Sequence, residues 1–311
     1  MAAVANALIP VFFVIAFGVV LRRTLLSAAE AWLGLERLTY FVLFPALLAT
    51  TTATADLTDI PVAGIAAALF LAVVTLSAAL FAARVPLVRM LALSGPAYSS
   101  LFQGATRWNT YVGLAIAGAL YGPPGLALIS VAIVAIVPIV NVINVWILAH
   151  YAADAPPGLK TVAGHVLRNP FIWSSLAGFA LNLSGLPLPK VIVTFGDILG
   201  RASLSLGLLL VGAGLVLDEV VKPDARVYVT AALKLFAMPA IAIGIGATFG
   251  LSGEALAVVA IAASAPSAPS GYVLARQLGG DAPLLARILT FETLAALVTI
   301  PLALGAAALR P

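Results

Sequence analysis

No cysteine occurs in the 311 residues of this chain, and only 9% of them are charged. The first absence excludes a disulfide framework and any thiolate metal site, and it leaves the redox compartment open. The second rules out an ordinary water-facing surface, since soluble domains carry charge on ~25% of residues. What fills the chain is apolar: 63% hydrophobic residues and a mean hydropathy of +1.15. The bilayer is therefore the expected solvent, and the chain reads as an all-α polytopic membrane protein with lipid as its surroundings. Its pI of 9.6 would suggest nucleic acid in a soluble chain. Here the few Lys and Arg residues are better explained as topology determinants at helix ends, so no nucleic-acid partner is expected.

Apolar runs bounded by charges and Gly/Pro clusters predict ten transmembrane helices near 3–21, 31–53, 61–83, 95–121, 125–149, 168–185, 200–217, 227–249, 255–276 and 284–308. The first run is not preceded by a basic residue and is followed by Arg22 and Arg23, so it reads as a retained helix rather than a cleaved signal. Placing loops on alternate sides collects Arg22, Arg23, Arg84, Arg89, Lys160, Arg168, Lys222, Arg226, Arg276 and Arg287 on one side. The other side receives Lys190, Arg310 and, at a helix start, Arg201. That asymmetry predicts both termini outside the cytoplasm. The polar stretch from His150 to Arg168 divides the chain into halves, 1–150 and 151–311, with five spans each. Both histidines, His150 and His165, fall in or beside it and read as solvated side chains. An odd span count per half makes the second half enter from the opposite face, so repeated halves would be inverted repeats.

Two spans are interrupted in their middles at matching places in the halves: the fourth at TRWNTYVG, Thr106 to Gly113, and the ninth at SAPSAPSG, Ser264 to Gly271. Backbone groups go unpaired at mid-membrane only where they line a cavity or meet a ligand, so a duplicated break points to a transport site made by two crossed, broken helices. Asn109 is placed to cap a new half-helix starting at Thr110. Pro266 and Pro269 remove backbone donors and bend Ala265 and Ala268 out of helical geometry. Two half-helix N-termini would then favour an anion between them. The plainer alternative is a pair of kinks satisfied by neighbouring helices.

The polar residues at that depth define the candidate site. Arg107 lies about 12 residues into the fourth span, roughly 18 Å deep. A buried arginine there wants a partner. It reads either as the carboxylate-holding residue, with Asn109 and Thr110, or as the structural partner of Glu292 in the tenth span. Lys234 and Glu292 enter spans eight and ten from one side and read as a coupling or structural ion pair, with Glu292 also a candidate proton carrier. Asn141 and Asn144 share a face of the fifth span and would complete the site, coordinate a cation, or bond between helices. Gln103 is a weaker candidate, and Ser267, Ser270 and Tyr272 flank the second break as possible ligand donors. No metal site and no cofactor is called for.

At these residues the chain resembles the auxin efflux carrier family. The resembling segments are YFVLFPALL at 40–48, FQGATRWNTYVGLAIAGALYG at 102–122, ALKLFAMPAIA at 232–242 and SAPSAPSGYVLARQLGGD at 264–281, followed by Thr290 to Pro301. The plant members of that family carry auxin, and bacterial members are classed as malate and malonate permeases. The resemblance implies a ten-helix fold related to bile-acid symporters and sodium/proton antiporters, a homodimer, and a bacterial plasma-membrane location. It also implies an elevator mechanism in which spans three to five and eight to ten move against a scaffold of spans one, two, six and seven. The long midpoint loop of the plant carriers is short here, so regulation through it is not expected.

Other classes fit less well. An intramembrane enzyme needs clustered catalytic groups, and none is assembled. A sodium/proton antiporter of the same architecture would use aspartates at the crossing, yet no Asp lies inside the fourth, fifth, ninth or tenth span. The expected cargo is therefore a small carboxylate anion, with a proton or sodium as the possible coupling ion.

Overall fold

A computed structural model describes residues 2–56, 61–152, 169–220 and 224–309. All regular structure among them is helical, and seven helical stretches are long and apolar enough to cross a membrane. Lys160, Arg168, Lys222 and Arg310, used above to orient the chain, and His165, read as a solvated side chain, lie outside the described residues.

Helix α1 spans Ala2–Arg23, and its exposed Phe13 and Phe17 face outward, as an apolar solvent allows. The second stretch runs as α2 (Ala29–Leu38), one widened turn at Thr39–Leu43, and α3 (Phe44–Thr54). Pro45 explains the widening: it has no N–H to give, so the preceding turn re-registers to i→i−5 bonding. Then come α4 (Val62–Ala82), the short α5 (Arg84–Leu91), α6 (Gly95–Thr106) and α7 (Thr110–Tyr151). Helix α7 is not one rod, because Gly122 at φ 60° and ψ −143° reverses the chain between two helical arms. A side chain rarely adopts that φ, and the following Pro123 and Pro124 hold the corner.

The second half continues with α8 (Pro170–Ser184), α9 (Lys190–Ala213), α10 (Leu217–Val220) and α11 (Ala225–Ala232). After a second widened turn at Leu233–Ala237, again just before a proline, comes α12 (Met238–Thr248). Helices α13 (Gly253–Ser264), α14 (Ser270–Gln277) and α15 (Ala282–Ala308) complete the chain. One expected boundary is corrected: α9 begins at Lys190, ten residues before the predicted start at 200. Asp197 and Arg201 had masked it, because both sit on an exposed face of an otherwise apolar helix and lower the local hydropathy. Arg201 is consequently mid-helix rather than at a helix start.

Helix α1 packs along α9, and α3 packs on α8 and α9. Helices α4, α6, α7, α12, α13 and α15 form the other densely packed set. The first set is held by close approach. A Cβ on Gly18 or on Gly212 would land on the backbone of the facing helix, at Leu209 and Ile15 respectively. Dispersion contacts at such distances substitute for the hydrophobic drive that lipid does not supply between helices. The small residues of α9 therefore serve packing inside the protomer: Gly207 faces Phe44 and Tyr111, and Gly212 faces α1.

Candidate functional site

The two interruptions meet. Helix α6 stops at Thr106, α7 starts at Thr110, and the backbone N–H of Asn109 donates to the carbonyl of Pro266 at 2.7 Å. Ser267 Oγ lies 3.1 Å from the carbonyl oxygen of Gly104. Local sequence causes each break. The Asn109 side chain accepts from the N–H groups of Tyr111 and Val112 at 3.1 and 3.3 Å, which starts a new helix. Ala265 is extended at φ −58° and ψ 135° before Pro266, and Pro269 occupies the N-cap of α14. Gly104 lets the helices approach, since a Cβ there would sit 2.6 Å from Thr230 Cγ2 and 2.8 Å from Ile288 Cγ2.

Around the first break the polar side chains present donors. Arg107 is 5% exposed, donates from Nε to Gln103 Oε1 at 3.1 Å, and reaches Ser270 Oγ from Nη1 at 3.4 Å. Gln103 is thereby oriented with its oxygen toward Arg107, leaving Nε2 as a buried donor with no partner among the described residues. Asn109 is oriented in the same way: its Oδ1 is used in capping, and Nδ2 is buried without a partner. Trp108 Nε1 is a third such donor. Buried donors without acceptors each cost about 1–3 kcal/mol, so three within seven residues is an unusual concentration that an anion would relieve.

The expected Arg107–Glu292 ion pair is not formed, which corrects that reading. Glu292 is fully buried and is held at the other break, where its Oε2 accepts the Ser267 N–H at 2.9 Å and contacts Ser267 Oγ. The protein's own carboxylate thus fills the seat at the second break that an incoming anion was expected to share. Lys234 is 1% exposed and within electrostatic reach of Glu292, carried inward by the widened turn before Pro239. No ion pair within 4.0 Å joins them among the described residues.

The fifth-span asparagines separate. Asn144 is buried, exchanges hydrogen bonds with Thr106 at 3.1 and 3.2 Å, and donates to Val140 O, so it braces the end of α6. Asn141 is half-buried and stands outside that network. Thr110 is the first residue of α7 and half-buried, Ser270 is exposed at the mouth beside Arg107, and Tyr272 packs against the core. Sequence reading missed an aromatic group next to the first break. Tyr111 stacks on Phe44 with centroids 4.7 Å apart and planes 1° from parallel, and Phe171 and Tyr40 complete the cluster. The available signal was Gly207, whose missing side chain makes room for that stack.

A separate cavity lies elsewhere. It has about 510 Å³ and is lined by Asp56, Pro123, Leu251 and Glu254 among others, roughly 20 Å along α7 from Asn109. Its charged lining is acidic, which does not suit an anion.

Residues 157–304 match the family model described as Membrane transport protein. No curated protein matches the chain. The match includes Lys234, the second break and Glu292, whereas Gln103, Arg107 and Asn109 precede it. The match covers just under half of the chain, and together with the apolar helices it points to an integral membrane protein.

At the far edge of this region Asp224 receives hydrogen bonds from Arg226 Nε and Nη2, the latter at 2.8 Å, and an ion pair from Arg287 at 3.0 Å. This ties α11 to α15. The Arg226 bonds hold the Asp224 carboxyl below the usual carboxylate range, against a smaller opposing effect of burial. A carboxyl with a depressed folded pKa stabilises the fold above its unfolded value, about 3.9, and loses that contribution as pH falls through the folded value. Thermal midpoints measured across acid pH should therefore drop below about pH 4 in the wild type. Asp224→Asn should start lower at neutral pH and lack that acid component.

Proposed function

We propose that this protein is a secondary transporter for a small organic carboxylate anion, bound at the first break by Arg107, Asn109 and Gln103. The observation that carries the reading is the run of buried donors without partners among the described residues at the first break, Gln103 Nε2 and Asn109 Nδ2 beside Arg107, while the carboxylate expected to pair with Arg107 is engaged by Ser267. The organic part of the cargo would rest against Tyr111 and Phe44. The family match supports transport, and the donor-only chemistry supports an anion.

We further propose the ten-span arrangement as two inverted five-helix repeats, with both termini outside the cytoplasm and with the Gly122 corner separating spans four and five. In this reading α4, α6, α7 and α11 to α15 move as a unit against α1 to α3, α8 and α9, and two copies associate in the membrane. The exposed face of α9 carrying Val191, Phe195 and Ile198 would meet lipid or the second copy. A sodium/proton antiporter of the same architecture is the alternative, and its expected signature is an aspartate at the crossing, which this sequence lacks.

Uptake into proteoliposomes tests the proposal. Labelled malate, malonate and indole-3-acetate are supplied with and without sodium and pH gradients. Saturable uptake of at least one carboxylate, competed by other carboxylates and not by their amides, is expected. Sodium/proton exchange with no carboxylate flux would overturn it.

A further inference from the structure

The second break contains one proton acceptor too many for the hydroxyl between them. Ser267 Oγ lies within bonding distance of both the Gly104 carbonyl and Glu292 Oε2, and a hydroxyl has a single proton to donate. The Gly104 carbonyl can only accept, and its own helical donor is missing because α6 ends at Thr106. If Ser267 donates to Gly104, its contact with Glu292 is satisfied only when the carboxyl carries a proton and donates it to Ser267 Oγ. If Glu292 is ionised it claims the Ser267 proton, and the Gly104 carbonyl loses its partner. Glu292 Oε1, buried without a hydrogen-bond partner, is likewise tolerable on a neutral acid and costly on a carboxylate.

We infer that Glu292 is a proton-binding site whose occupancy sets the Ser267–Gly104 hydrogen bond, a second tie between the interrupted helices beside that of Asn109 to Pro266. The exchange balances: one proton adds to the carboxylate, the Ser267 hydroxyl proton turns from Glu292 to the Gly104 carbonyl, and no other bond changes. With the proton bound, Ser267 ties α6 to the α13–α14 break. Without it, that tie opens.

The charged surroundings favour this assignment. Lys234, on the widened turn, is the charged group within electrostatic reach of Glu292. On the other packed elements, Arg107 at the end of α6 is turned to Gln103 and Ser270, and Arg226 of α11 pairs with Asp224, as does Arg287 of α15 itself. Tyr228 of α11 stands edge-on to Phe291, and Glu254 of α13 is exposed at the distant cavity. Arg23 of α1 and Asp218 of α10 pair with each other in the open, Tyr272 and Arg276 lie on the outer turns of α14, and α12 brings no titratable group. Protonating Glu292 removes the negative charge within electrostatic reach of Lys234 and so raises the net positive charge around the second break. Resting on the proposed anion seat, proton binding and anion binding then strengthen each other by the same factor.

Infrared difference spectroscopy of the full-length protein in lipid, titrated between about pH 5 and pH 9 with no carboxylate cargo present, tests the inference directly. A protonated-carboxyl stretch should rise reversibly as pH falls, disappear in Glu292→Gln, and change frequency in Ser267→Ala because its acceptor is gone. Glutamine at 292 keeps a donor for Ser267 Oγ, so that variant should fold, and the Ser267→Ala spectrum gives an answer even if it does not. Superimposable wild-type and Glu292→Gln titrations, or a band unmoved by Ser267→Ala, would overturn the assignment. Because no cargo is involved, either result stands apart from whether a carboxylate is transported.

Discussion

Asn109→Ala should lower carboxylate uptake by at least about 10- to 100-fold, the equivalent of one hydrogen bond to a charged group at 1.5–3 kcal/mol, while the protein still folds. The side chain has two separable roles. Its oxygen caps α7, and losing a cap costs roughly 1 kcal/mol of stability. Its Nδ2 has no partner among the described residues, so removing it costs the empty protein nothing in hydrogen bonding. The backbone bond from Asn109 to Pro266 survives the substitution, which keeps the two breaks in contact. Uptake and thermal unfolding of the same preparation check this. Equal losses in both would make Asn109 a structural cap alone.

Arg107→Gln should weaken carboxylate binding by about 2–5 kcal/mol, roughly 30-fold or more, and should leave the ligand-free protein as stable as before or more so. Arg107 is buried with only neutral partners, Gln103 and Ser270, so its charge is uncompensated until an anion arrives. Arg107→Lys keeps the charge but loses the planar fork, and its affinity should fall between wild type and Gln. Glu292 does not touch Arg107, so Glu292→Gln should not rescue Arg107→Gln, and the two stability changes should add within about 0.5 kcal/mol. Thermal midpoints of the single and double variants, with and without a carboxylate taken up by the wild type, decide the matter. A ligand-free loss of stability in Arg107→Gln that Glu292→Gln restores would assign Arg107 a structural pair instead.

The breaks were readable because proline and an asparagine cap act locally, through the loss of an N–H and the gain of an acceptor within three residues. The Arg107 partner was not readable. Burial demanded a partner, and a carboxylate in another span was the electrostatically obvious choice, but whether two spans present those residues to each other depends on helix rotation that composition does not encode. Glu292 turned instead to the Ser267 amide, a backbone donor that a search for charged partners passes over. The start of α9 was hidden for a related reason. Asp197 and Arg201 on an exposed face read as a polar connection, although a helix continues through them. The aromatic cluster escaped because Phe44, Tyr111 and Phe171 come from three separate stretches, and only Gly207, a vacancy facing two of the rings, hinted at their meeting.

The central claim is that the donors of the first break form a seat for a carboxylate, and ligand-dependent thermal stability of the purified protein tests it most directly. Malate, malonate and indole-3-acetate are each compared with their amides, on wild type and on Arg107→Gln. At least one carboxylate should raise the wild-type midpoint, approaching about 2.7 kcal/mol of stabilisation at a hundredfold excess over its Kd. Its amide should not, and Arg107→Gln should cut the stabilisation at the same concentration to about 1 kcal/mol or less. Stabilisation by sodium with no response to any carboxylate, or a carboxylate shift undiminished in Arg107→Gln, would contradict the account.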